Sequence, residues 1–456
     1  MFSFRTNHSR RDVLVTGVGM VTPLGCSANE TWRRLIRNER GGRILTPDDI
    51  DHYEQLSDLT GVRLNGAPVD HADVVHRLHA SSIMSPQSPE IQSLWSSEPL
   101  VAMSLLALHE ALGHANLQPQ RSADRLAVAY GSSKGGLRTA ERLTEMLGAP
   151  LTSSFNQASR PPSVADDSRA EAERDRQFAL LWSSTFSTDS ATRAIAAVLG
   201  AQAGVSCPVA ACGTGLISVL QGAAMIHAGI CDVCIVGSAD AGLRASVLSS
   251  FHRLRVTSRN HDAATACRPF DEARDGFIVG EGAAVLVLES REHAAARNQA
   301  GLASVVAGGW LSDPTGMTQI DASGAVVEEL LRRTHAGRSL RPDFISLHGT
   351  GTESNDLAEA RGISNAFGDA APHCFGVKGA LGHLLGAAGS VETVITILAL
   401  HHRQIPGTIN LSQQDPRCNI PLSSTAVRHN SLQCAAKLSL GFGGHVAYGV
   451  FGAENL

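Results

Sequence analysis

The sequence predicts an α/β protein whose sheets are covered by helices. Three features carry this. Short β-branched runs such as Asp12–Met20 (DVLVTGVGM) and Ala283–Glu289 (AAVLVLE) alternate with longer apolar stretches of helical length. Several predicted strands run directly into glycine turns. The order of strands and helices begins again after Glu289, which suggests an internal duplication, although the two halves share little sequence. With 456 residues, 43% of them hydrophobic, the chain can build a large core or two similar halves sharing one.

The elements follow in order. Asp12–Met20 is the first strand, and VTPLG leads from it into a helix through Asn29–Arg37. Residues 40–98 are weakly patterned. Leu100–Leu112 (LVAMSLLALHEAL) is a strongly apolar helix, and Leu126–Tyr130 is a short strand before the turn GSSKGG. Residues 150–178, rich in Ser, Pro, Arg, Asp and Glu, read as a solvated loop within an insertion spanning about 148–178. A helix over Ser187–Leu199 and a strand near Val205–Ala210 precede Cys212 and its helix. Strands at Val233–Ser238 and Ala283–Glu289 close this half. The second half offers strands near Ser304–Ala307, Phe344–His348 and His373–Val377. Its helices lie near Ala322–Arg333, Leu357–Phe367 and Leu384–His401, and a last hairpin spans Ala435–Leu440 and Ala447–Phe451. The expected division is 11–296 and 297–456.

Composition removes several classes of function. A net charge of −5 does not suggest a nucleic-acid partner. No apolar run reaches the ~18 residues of a membrane span, and the polar, basic start does not resemble a signal peptide. Nine scattered cysteines, an odd number, read as reduced thiols in a cytoplasm. Cys231 and Cys234 make a lone CxxC, read as part of a buried strand; no metal site is expected.

Four glycine-flanked stretches carry chemistry. In Pro208–Gly229 (PVAACGTGLISVLQGAAMIHAG), Cys212 starts an apolar helix. The positive end of the helix dipole and unpaired backbone N–H groups there favour thiolate, the nucleophilic form. Taken alone, the same stretch also fits a buried structural cysteine. His348 stands at the C-terminal end of a predicted strand, where α/β sheets bind ligands, and opens HGTGTESND. Lys378 also follows a strand, and His383 starts the next helix in KGALGHLLGAAGSVE. Gly441-Phe442-Gly443-Gly444 follows the last strand but one. Two histidines and a lysine at such junctions, together with Cys212, exceed what a plain core needs.

These stretches resemble the elongating β-ketoacyl-acyl-carrier-protein synthases. The resemblance includes TGVGMVTPLG at Thr16–Gly25 and RPFDEARDGFIVGEGAAVLVLE at Arg268–Glu289, and covers nearly all of Cys207–Phe451. It implies a thiolase-like, five-layered αβαβα fold from two duplicated βαβαβ halves, and a homodimer. It implies that Cys212 is acylated by an acyl carrier protein's thioester, with the backbone N–H groups of Cys212 and Phe442 as oxyanion donors and Phe442 as a gate. His348 and His383 would hold the thioester oxygen of a malonyl-carrier as CO2 departs. Lys378 would act electrostatically with Glu392 as partner, and Thr350, Thr352 and Asp356 would support the site. No cofactor or metal is implied. Arg253, Arg255 and Arg259 are the candidate carrier-docking patch, with Arg255 the best match to the family's carrier-contacting arginine.

The match is uneven. Residues 60–125 and 135–205 lack most landmarks, Leu381 stands where Thr is usual before Gly-His, and His445-Val446 follows GFGG without the usual Asn. A thiolase would need a second catalytic cysteine, and Cys434 lacks the Cys-x-Gly context. An initiating synthase would use Cys, His and Asn. A specialised polyketide ketosynthase remains an alternative, as does a non-catalytic chain-length-factor partner, although the latter usually replaces the nucleophilic cysteine.

Overall fold

The computed structural model describes residues 11–50, 53, 56, 64–85, 87–118, 123–148, 168–337 and 341–454. Its ten principal strands form one sheet made of two equivalent sets. The first set is β1 (Val13–Val21), β2 (Leu126–Gly131), β3 (Gly204–Ser206), β4 (Val233–Asp240) and β5 (Gly282–Ser290), in spatial order β3-β2-β4-β5-β1. The second is β6 (Ala303–Ser312), β7 (Phe344–Ser346), β8 (His373–Phe375), β9 (Cys434–Gly441) and β10 (His445–Ala453), in the order β8-β7-β9-β10-β6. In both sets the first strand pairs antiparallel with the last, and the last antiparallel with the fourth. The fourth then pairs parallel with the second, and the second parallel with the third. Strands β1 and β6 join the sets at Leu14↔Ser304 and Val15↔Ala303.

Two helices, Thr214–His227 and Ala388–His402, lie between the sets. Apolar and small residues surround both axes, the pattern of helices buried on every side. Leu216, Val219, Val391 and Ile395 share one core with Val15, Met20 and Leu286 of the first set and Phe344, Ala435 and Ala447 of the second. The helices meet backbone to backbone at two glycines. A Cβ on Gly215 would lie 2.2 Å from the Ser390 nitrogen, and one on Gly389 would lie 2.5 Å from the Leu216 nitrogen. Along β4, Cys234 and Val236 face this middle layer, whereas Val233, Ile235 and Ala239 face outward, the period of two that strands impose. Helices Pro99–Ala115 and Ser190–Leu199 cover the outer face of the first set. Helices Ala325–His335 and Glu353–Phe367 cover that of the second. The architecture is the expected five layers, αβαβα. Among the described residues, no helix is long and apolar enough to cross a membrane.

Three local expectations are corrected. Of the expected loop at 150–178, residues 150–167 lie outside the described residues, but Ser168–Leu181 is a helix. Its Ala, Glu, Arg, Gln and Leu residues are good helix formers, and Glu173 pairs with both Arg176 and Gln177 one turn on. Strand β3 stops at Ser206, well short of Ala210, because Pro208 has no N–H to continue a ladder. The segment expected as one helix from Leu384 begins instead with a turn at Leu385–Ala387, and Leu385 has φ 54°.

Candidate active site

Cys212 sits in the tight turn Ala211–Gly213 that feeds the central helix Thr214–His227. Ala211 adopts a left-handed φ of 47°, a conformation that costs a non-glycine residue about 1–3 kcal/mol and must be held by its surroundings. Thr214 holds it: its hydroxyl accepts from the Ala210 N–H at 2.9 Å and donates to the Ala211 carbonyl at 2.7 Å. The second half repeats this construction at Leu385, with Gly386 in the place of Cys212. There the Gly386 N–H is occupied by Asp240 Oδ2 at 2.7 Å. Beside the Cys212 N–H stands Gly441, where a Cβ would lie 3.1 Å from the Cys212 nitrogen. A bare glycine keeps the space beside this donor open.

His348 follows β7, and both oxygens of the buried Glu359 grip its backbone. They accept from the His348 N–H at 2.5 Å, the Gly349 N–H at 2.6 Å and Asn355 Nδ2 at 2.8 Å. The Lys378 ammonium lies 3.3 Å from His348 Nδ1, donates to the His348 carbonyl, and pairs with Glu392 at 2.6 Å. The His383 ring stands at 80° to that of His348, with centroids 5.2 Å apart. Its Nδ1 accepts from the Leu385 N–H at 3.2 Å. Both Nδ1 atoms therefore face donors, which assigns the proton of each neutral imidazole to Nε2. Burial, then the Lys378 charge, holds both rings well below the usual imidazole range, so both are neutral. One ring nitrogen of each and the Cys212 sulfur all lie within 4.8 Å of one another, a spacing that fits one small group between them.

The expectation that Cys212 is a ready thiolate is corrected. Burial pushes its thiol up to about 11, against the opposing pull of the Lys134 and Lys378 charges. Desolvation outweighs the helix terminus, and the resting residue is a thiol.

Cys212, His348 and His383 line one pocket of about 320 Å3. Phe442 and Gly441 form one wall, Thr350 and Thr352 another, and Phe251 and Val256 a third. The Thr350 and Thr352 hydroxyls bond each other at 2.8 Å. Asp356 does not reach the pocket. It is buried behind it, accepting from the Phe270 N–H at 2.7 Å and facing Arg274 at 3.4 Å, so it braces the loop that carries His348. Thr315, Thr318, Gln319 and Ile320 also line the pocket, which the sequence did not reveal. Their loop is tied to the glycine turn: the Gly443 N–H donates to the Met317 carbonyl at 2.7 Å, and the Asp313 N–H to the Gly444 carbonyl at 2.7 Å.

Residues 10–294 match the family description "Beta-ketoacyl synthase, N-terminal domain", and residues 302–412 match "Beta-ketoacyl synthase, C-terminal domain". The chain belongs to the β-ketoacyl synthase family. The 3-oxoacyl-[acyl-carrier-protein] synthase 2 of Mycobacterium tuberculosis is 31% identical over 445 residues, 96% of this chain and 97% of that protein. The protein of the same name from Staphylococcus aureus is 29% identical over the same shares. Among solved structures, the ishigamide ketosynthase/chain length factor is similar with a TM-score of 0.79 and 26% identity, covering 98% of this chain and all of that one.

Within this β-ketoacyl synthase framework the departures find a structural setting. Val446, at the position where an asparagine is usual, is 3% exposed in the outer apolar core with Leu440 and Tyr448. The expected docking arginines form no cluster with the site; Arg253, Arg255 and Arg259 are exposed on a segment whose Phe251 and Val256 face the pocket. Sequence reasoning also missed Lys437, which is fully buried and lies 2.7 Å from Glu392 Oε2. Its signal was a single lysine inside the apolar run of β9.

Proposed function

We propose that this chain is a β-ketoacyl-[acyl-carrier-protein] synthase that condenses an acyl group with malonyl-carrier through an acyl-Cys212 intermediate. The observation that carries this is the meeting of one nucleophile with two neutral imidazoles, both protonated on Nε2, in the lining of one pocket. In the first act the Cys212 sulfur attacks the thioester carbonyl of an acyl carrier. A C–S bond forms, the N–H groups of Cys212 and Phe442 receive the oxyanion, and the carrier's pantetheine thiol departs with the proton Cys212 gave up. In the second act malonyl-carrier enters and its terminal C–C bond breaks. CO2 leaves, and the electron pair becomes an enolate whose oxygen takes hydrogen bonds from His348 and His383. Neutral donors suit this step, because they stabilise charge that develops in the transition state. The enolate carbon then attacks the acyl carbonyl, Cys212 leaves as thiolate, and a proton restores the thiol. Lys378 and Glu392 form a buried ion pair that fixes His348.

The carrier partner follows the names of the curated relatives, and the exposed arginines beside the pocket offer an acidic carrier a place to dock. A second copy, or a related partner, would cover the free edge of β3, where Val205 is 49% exposed, and the segment just beyond it, where Val209 is 53% exposed. Nine unpaired cysteines support a reducing, cytoplasmic setting. The test supplies purified protein with a panel of acyl-carriers and malonyl-carrier and reads 3-oxoacyl product. Product with the native chain and none with Cys212→Ala is expected; equal product from both contradicts the reading.

A further inference from the structure

Lys437 plays no part in the chemistry above, yet it is the second lysine of the buried site. Its ammonium lies 2.5 Å from the Leu438 carbonyl, 2.7 Å from Glu392 Oε2, 3.0 Å from the Leu347 carbonyl and 3.5 Å from the Ser346 carbonyl. Four oxygens thus surround one ammonium with three protons, and no solvent reaches it. Two of these partners lead to His348. Leu347 immediately precedes it on the chain. Glu392 spends its other oxygen on Lys378, whose ammonium faces His348 Nδ1. The Lys437 charge also acts on Glu359, the carboxylate that grips the His348 and Gly349 N–H groups.

We propose that Lys437 is a positioning residue: its ammonium anchors the Glu392 carboxylate and the strand end that together present His348 as a hydrogen-bond donor. A buried ammonium is expensive unless paired, and Glu392 could be satisfied by Lys378 alone, so local neutrality does not require a second lysine. What the second charge supplies is field. Burial pushes the Glu359 acid up to about 7, and the Gly349 N–H, then the Lys437 charge, pull against that rise. A protonated Glu359 keeps one oxygen for its own proton and loosens its hold on two backbone donors. The same charge helps to keep His348 and His383 neutral, alongside Lys378 and, for His383, Lys134. Asp356 acts on Glu359 in the opposite sense.

Removing the Lys437 charge raises the proton affinity of Glu359 and of both imidazoles, so all three become protonated at higher pH. For Lys437→Met, the acid limb of kcat for condensation should move up by about one pH unit, as expected for loss of one nearby charge. kcat at pH 6.5 should fall about tenfold, and kcat at pH 8.5 should stay within about twofold of the native value, because the limb in this range is that of Glu359, pushed up to about 7, whose ratio of protonated to ionised form changes about tenfold per pH unit, whereas both imidazoles stay neutral at these pH values. KM for malonyl-carrier should not change. Lys437→Gln retains N–H donors for the carbonyls without the charge, and it should move the limb equally. Recovery by Gln at every pH, or a loss with an unmoved limb, would reduce Lys437 to a hydrogen-bonding role and overturn the proposal, as would failure of both variants to fold. The inference rests on the ketosynthase reading only for its assay. Titration of His348 and His383 by carbon-13 histidine NMR, assigned with His348→Asn and His383→Asn, needs no substrate. An upward displacement of these titrations in Lys437→Met supports the inference even if the native chain condenses nothing, and unchanged titrations refute it even if condensation is robust.

Discussion

At the scale of single residues, the site combines a nucleophile held as a thiol with donors held neutral. Both follow from burial, which always disfavours the charged form. Lys134 is the largest influence opposing burial at Cys212. Its ammonium lies 5.6 Å from the Phe251 ring centre, on a wall of the same pocket. Lys134→Met should therefore raise the proton affinity of Cys212 further. Less thiolate is then present at any pH below that value, and alkylation of Cys212 by iodoacetamide at pH 8 should slow by about threefold to tenfold, the loss of thiolate that follows when its titration moves up by about half to one pH unit. An unchanged rate would show that the Lys134 charge is screened from the sulfur. The sequence carried Cys212, His348, Lys378 and His383 because each lies in a short glycine-flanked stretch after a strand, and the family resemblance added Glu392. It did not carry Lys437 or Lys134, whose roles depend on distances between segments far apart in the chain. Nor could it carry the state of Cys212: the helix start is a local feature, whereas the burial that outweighs it is assembled from both halves.

At the scale of elements, the central pair of helices places the chemistry. Cys212 begins one, and the turn that follows His383 begins the other, so their closeness sets the spacing of sulfur and imidazole. Gly215 and Gly389 permit that closeness. Gly389→Ala would press a methyl group to 2.5 Å from the Leu216 nitrogen, and overpacking of this kind costs about 1–3 kcal/mol. A lower thermal unfolding midpoint is expected, with acylation of Cys212 slowed in the protein that remains folded. No change in either would mean that the helices can separate without harm. Most strands were legible in the sequence, because runs such as VLVTGVGMV and GAAVLVLES allow few other readings. The charged helix Ser168–Leu181 was not, because its composition alone matches a solvated loop and only its pairing along one face distinguishes it.

At the scale of the whole molecule, the strand order of one half recurs in the other, down to the left-handed residue before each central helix. The chemistry does not recur: Cys212 in one half corresponds to Gly386 in the other, whose N–H is taken by Asp240. The duplication was visible in the sequence only as a repeated order of elements, since pairing patterns leave no mark on residue identity. Net charge is −5, so an acidic carrier is repelled overall and must be met by a local basic patch. Arg255, exposed with φ 57° just beyond the helix Ala245–Arg253, is placed for this. Arg255→Glu should raise KM for carrier-linked substrate through slower association and leave small pantetheine thioesters unaffected. The difference should shrink toward 0.5 M salt, where the Debye length is only about 4 Å. Equal loss with both kinds of substrate would assign Arg255 to the fold.

The central claim is that one cysteine carries the acyl group while two neutral histidines serve decarboxylation. The most direct measurement follows the two acts separately in His348→Ala and His383→Ala: acyl-Cys212 by intact mass after mixing with an acyl-carrier, and CO2 release from malonyl-carrier. The account predicts near-native acylation, with decarboxylation reduced about 10²–10³-fold, the usual cost of one such donor. Equal loss of both acts, or decarboxylation at the native rate, would contradict it.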